Sequence, residues 1–163
     1  MALIHIFGKE VHYNVQGEGP ALVLLHGYLE SKEVWDEFAR YFNSYKLIMP
    51  DLPGHGNSAV FREIHTMEFM ADAVAAILEK ENINTCFIYG HSMGGYVAEA
   101  FTRKHPEKTR ALGLIHSTIY ADNEDKKANR KRDCIIERRE ARASSIRHAA
   151  KYCGEIEPGP VKA

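Results

Sequence analysis

A single junction near the middle of the chain narrows the folds open to it. Cys86-Phe87-Ile88-Tyr89 is a short strand-type run, and Met93, Tyr96, Val97, Ala100 and Phe101 recur at the spacing of one helical face. Between them stands Gly90-His91-Ser92-Met93-Gly94, with Gly95 following. A serine held on so sharp a strand-to-helix turn brings the residues two before and two after it together, where a Cβ would clash. The helix should stop near His105, because Pro106 disfavours helical conformation in the residue before it. The pentapeptide alone reads equally well as a glycine-rich helix start with an idle serine. Its place between a strand and a helix is what makes Ser92 a candidate nucleophile, with the Met93 N–H aimed at the oxyanion its attack would form.

The rest of the first 122 residues repeats this alternation. Leu3 to Phe7 and Val11 to Gln16, separated by Gly8-Lys9-Glu10, read as an antiparallel hairpin at a sheet edge. Ala21 to His26 is a continuous apolar run suited to a strand covered on both faces, and Lys46 to Met49 is a second. Between them Ser31 could cap a helix carrying Val34, Trp35, Phe38 and Phe42 on one face. Thr66 is an N-cap for a helix with Met67, Met70, Ala71, Val74, Ile77 and Leu78 at helical spacing. Ala111 to Ile115 supplies a last buried strand, ending at His116-Ser117-Thr118. Strands alternating with helices predict an α/β domain with a mainly parallel sheet.

Charge divides the 163 residues unevenly. Residues 1–122 carry 10 basic and 15 acidic side chains, whereas 123–163 carry 11 and 7. The totals of 21 and 22 nearly cancel, so a polyanion partner is not indicated and nucleic acid is not expected. The tail reads as a solvated helix with an imperfect stripe of Ile136, Ala143, Ile146, Ala150 and Cys153; it lacks the Trp, Phe or Leu of a membrane-surface helix. Cys86, Cys134 and Cys153 form no CxxC pair and cannot all be paired in one chain. A reduced, cytoplasmic protein without a membrane span is therefore expected, and neither a metal nor a cofactor is implied.

Two further segments sit at strand ends. His26-Gly27-Tyr28 follows one buried strand, and Asp51-Leu52-Pro53-Gly54-His55-Gly56-Asn57-Ser58 follows the next. With the GHSMGG turn, they resemble in order and spacing three motifs of the α/β-hydrolase superfamily, over residues 3 to 122. The resemblance implies a three-layer α/β/α fold and a serine hydrolase acting on an ester, thioester or related acyl bond of a small-molecule substrate. Ser92 then resembles the nucleophile and the backbone N–H groups of Tyr28 and Met93 the oxyanion hole. His26, Gly27, Asp51, Gly54, Gly56 and Ser58 resemble loop-shaping residues, and His91 should pack behind the turn. Tyr28, Trp35, Met93, Tyr96, Ile119 and Tyr120 are candidates for the substrate pocket. The serine disfavours the dehalogenases and epoxide hydrolases, which attack with an aspartate; His26-Gly27-Tyr28-Leu29 in place of HGGG disfavours the hormone-sensitive-lipase branch.

The family's triad acid and histidine follow its seventh and eighth strands. Two more βα units need about 60 residues, and only 41 follow position 122. The expected architecture is a core over 1–118 and a lid-like charged tail over 119–163, with the fold truncated on its C-terminal side. His116, Asp122 and His148 do not fit the missing roles. Weak or absent activity is expected, and a non-catalytic protein that binds a ligand or partner through the same fold is the alternative. Losing the last strands would leave Ala111 to Ile115 as an exposed edge, through which self-association is expected.

Overall fold

The computed structural model describes residues 1–62 and 64–120. The lid-like tail beyond Tyr120, its helix stripe, Asp122 and His148 lie outside these residues.

Among the described residues six strands form one sheet: β1 (Ala2–Ile6), β2 (Lys9–Gln16), β3 (Ala21–Leu25), β4 (Lys46–Pro50), β5 (Cys86–His91) and β6 (Thr109–Ile115), in the order β1-β2-β4-β3-β5-β6. β1 and β2 are antiparallel to each other, and β2 is antiparallel to β4. The β4-β3-β5-β6 portion is parallel. The hairpin turns on Phe7-Gly8, one residue earlier than the expected Gly8–Glu10. Both residues have positive φ (48° and 74°), as a two-residue type I′ turn requires.

Among the described residues three α-helices flank the sheet: α1 (Asp36–Ala39), α2 (Met67–Lys80) and α3 (Met93–Lys104). α2 and α3 cover one face, where Met70, Val74, Leu78, Val97 and Phe101 enclose Val23, Leu25, Ile48 and Ile88. The Thr66 hydroxyl accepts the Phe69 N–H at the start of α2, and every apolar residue of the expected stripe is buried. On the other face Trp35 and Ala39 pack with Leu22, Leu24, Leu47 and Met49.

The segment after Ser31 departs from expectation. It is a 3₁₀ turn over Lys32–Trp35 followed by the single turn of α1, and Ser31 makes no side-chain cap. Val34 and Phe38 are exposed. The cause is Lys32, whose amide and ammonium both donate to the Asp51 carboxylate, at 2.9 and 2.8 Å. Drawing residue 32 inward turns residues 32 and 35, one 3₁₀ turn apart, toward the sheet. Among the described residues β6 pairs with β5 alone, the open edge expected of it, but it is less buried than expected: Arg110 and Ala111 are exposed and Leu112 to Ile115 half-buried.

Candidate active site

The site lies where β3, β4, β5 and β6 end. At the junction of β5 and α3, Ser92 has φ 51° and ψ −116°, a left-handed backbone that costs a non-glycine residue of order 1–3 kcal/mol. Its neighbours enforce that bend. A Cβ on Gly90 would lie 2.1 Å from the Gly94 carbonyl oxygen, and one on Gly94 would lie 2.5 Å from that of Leu25. Only glycine at both places lets the chain turn from β5 into α3 so close to the end of β3. The Ser92 N–H donates to the Ile115 carbonyl across 3.0 Å, and its own carbonyl accepts the Gly95 N–H at 3.0 Å and the Ser117 hydroxyl at 2.8 Å.

The segment 26–28 is fastened to the same place. His26 is fully buried; its Nε2 accepts the Leu52 N–H at 2.9 Å, so the ring proton sits on Nδ1, which donates to the Gly27 carbonyl at 2.8 Å. Burial lowers the His26 pKa, which keeps that neutral tautomer. The Glu30 carboxylate accepts the Gly27 N–H at 2.6 Å and lies 3.0 Å from His91 Nδ1. Burial pushes the Glu30 carboxyl up, but these two hydrogen bonds outweigh it and hold its pKa below the ordinary value.

The loop after β4 wraps around Asp51. Besides Lys32, its carboxylate accepts the Asn57 N–H at 3.0 Å, and its carbonyl accepts the Ser58 hydroxyl at 2.7 Å. A Cβ on Gly56 would fall 2.3 Å from the Asp51 carboxylate. The motif thus folds on its own aspartate and seats His55 against His26, with ring centroids 5.1 Å apart.

The structure therefore brings Ser92, Met93, Tyr28 and His91 to one end of the sheet. Met93 is buried at the first position of α3. Of the side chains expected along the pocket, Tyr96 is half-buried on α3, Trp35 is enclosed under the sheet, and Ile119 and Tyr120 are exposed. The hydrogen bonds of His26 and His91 go to other partners than Ser92. Glu30, Lys32 and Ser117 were not singled out in the sequence. No group of three His, Cys, Asp or Glu able to hold a metal occurs among the described residues. Nor is any of their helices long and apolar enough to cross a membrane.

A family model described as the alpha/beta hydrolase fold matches residues 20–134. The chain belongs to the alpha/beta hydrolase family. Among curated relatives, the pimeloyl-[acyl-carrier protein] methyl ester esterase of Aeromonas hydrophila is 38% identical over 104 residues, 63% of this chain and 39% of that one. The (E)-2-((N-methylformamido)methylene)succinate hydrolase of Acinetobacter baylyi is 28% identical over 134 residues, 82% of this chain and 49% of that one. Among solved structures, a thermophilic esterase from Thermogutta terrifontis superimposes with a TM-score of 0.75 at 33% identity, over 81% of this chain and 49% of the esterase. The chain thus spans about half the length, or less, of the proteins it matches.

Proposed function

We propose that this hydrolase accepts an acyl group on Ser92 from a small-molecule ester, thioester or related substrate. The Ser92 oxygen would attack the carbonyl carbon, whose oxygen gains negative charge and takes hydrogen bonds from the Tyr28 and Met93 N–H groups, and collapse of that intermediate would break the bond to the alcohol or thiol, which leaves with the serine's proton. Such donors act because they already point where the charge develops, and each is worth roughly 10²–10³ in turnover. One observation carries the reading: Ser92 holds a left-handed backbone at the first turn of α3, between two glycines that admit no Cβ. Strain of that kind persists only where surrounding contacts impose it, and it gathers at working sites. The esterases among the relatives favour a carboxylic ester as substrate class.

Attack also needs a base for the Ser92 proton, and the hydrogen bonds made by both ring nitrogens of His26 and by Nδ1 of His91 go to atoms other than the Ser92 hydroxyl. The proposed activity of this chain is accordingly weak. Loss of the base from such a triad lowers turnover by about a millionfold, leaving roughly a thousandfold over water. The test is p-nitrophenyl acetate hydrolysis by the chain and by Ser92→Ala. A small excess that disappears with Ser92→Ala supports the reading, and equal rates reject it. The same engagement of His26 and His91 favours a second reading, a non-catalytic ligand-binding protein, which requires ligand-dependent stabilisation that survives Ser92→Ala. The proposed compartment is the cytoplasm, supported by the free, buried thiol of Cys86.

A further inference from the structure

Glu30 lies on neither of the segments proposed to hold the oxyanion, yet it touches both. The same oxygen, Oε2, accepts the Gly27 N–H at 2.6 Å and pairs with His91 Nδ1 at 3.0 Å. Gly27 immediately precedes Tyr28, and His91 immediately precedes Ser92 and Met93. The three groups meet closely: a Cβ on Gly27 would lie 2.9 Å from that oxygen and 3.1 Å from His91 Nδ1. The Glu30 N–H also closes a turn on the Gly27 carbonyl at 3.4 Å. The carboxylate is thus held at residue 27 from both its backbone and its side chain, and its remaining reach goes to the β5–α3 turn.

We propose that Glu30 is a positioning residue: its carboxylate ties the Gly27-Tyr28 segment to the His91-Ser92-Met93 turn and so sets the separation of the two N–H groups that face the oxyanion. Two donors on separate segments can serve one oxygen only if their spacing is fixed before the charge appears. The Glu30 carboxylate joins the two segments directly, through the Gly27 N–H on one and His91 Nδ1 on the other. Its catalytic consequence rests on the serine-hydrolase reading, whereas the tether itself does not.

The tether has a spectroscopic signature. A carboxylate beside Nδ1 keeps the His91 proton there, whereas a histidine without such a partner reverts to the Nε2–H form. The short, charge-assisted bond to Gly27 should move that amide proton far downfield. Ring and amide ¹⁵N spectra of the full chain and of Glu30→Ala and Glu30→Gln test both features. The expected result is Nδ1–H His91 and a downfield Gly27 amide in the parent, both lost in Glu30→Ala. Amides at 27–28 and at 91–93 should then exchange about tenfold faster, the size expected for losing a hydrogen bond to a charged group, with those late in α3 unchanged. Should Glu30→Ala not fold, Glu30→Gln must show the same changes at smaller size. Retention of the Nδ1–H form, or a response in only one of the two segments, would overturn the proposal. Fluorophosphonate labelling of the same samples scores the serine reading separately, since an unlabelled Ser92 with both signatures intact would refute that reading and not the tether.

Discussion

The Ser117 hydroxyl donates to the Ser92 carbonyl across 2.8 Å, and it can do so because residue 95 carries no side chain. A Cβ there would stand 2.2 Å from the Ser117 oxygen and 2.4 Å from its Cβ. The end of β6 therefore braces the strained turn at a point that α3 leaves open for it. Gly95→Ala should be destabilising by about 1–3 kcal/mol through overpacking, against the roughly 1 kcal/mol that alanine gains over glycine in a helix. Urea unfolding of Gly95→Ala and of the double variant with Ser117→Gly checks this. The double variant should recover most of the loss, and a midpoint in Gly95→Ala raised by the full helical gain of alanine would show that the contact exerts no strain.

Lys32 is 2% exposed and Asp51 fully buried, so each is the other's principal compensation. Burial draws the Lys32 pKa down, but its bonds to Asp51 and Glu33 more than restore it. Lys32→Met would strand a buried carboxylate at a cost of about 3–5 kcal/mol. Thermal unfolding should register that loss as a large fall in Tm. A shift within error would mean that the backbone N–H groups of residues 32 and 57 suffice to hold Asp51.

Acid should loosen the same region. Burial, with neighbouring His26, lowers the His55 pKa to about 4 from an ordinary 6.5. The unfolded chain therefore binds more protons at residue 55 between these values, so stability rises with pH across that window. The contribution is complete above about pH 6.5 and is lost as pH falls toward 4, amounting to about 3 kcal/mol. His26, lowered in the same direction, adds to it. Denaturant midpoints at pH 7 and 4.5 should differ less in His55→Leu than in the parent. An identical pH dependence would remove His55 from the account.

Among the described residues the outer side of β6 pairs with no strand, and Ala111 on it is exposed. Open edges of this kind recruit other strands, and a lysine placed there discourages it. Size-exclusion chromatography at micromolar concentration should show self-association that Ala111→Lys reduces. A stable monomer in the parent would contradict it.

What the sequence disclosed and what it withheld differ by range. The Thr66 cap, the α2 stripe and the tight turn around Ser92 depend on residues within a few positions of one another, and they stand where periodicity and glycine placement put them. The expected helix after Ser31 failed because a distant partner overrode local pattern: Lys32 reaches Asp51, 19 positions on. Glu30 and His91 are 61 apart, and Ser117 and Ser92 are 25 apart. No spacing rule pairs such residues; only the β3-β5-β6 arrangement brings them together.

The central claim, that Ser92 accepts the acyl group, meets its most direct test in covalent labelling by an alkyl fluorophosphonate, mapped by peptide mass. The account predicts an adduct confined to Ser92, forming slowly because no base is supplied by His26 or His91, and absent from Ser92→Ala. Rapid labelling, or an adduct that persists in Ser92→Ala, would contradict it.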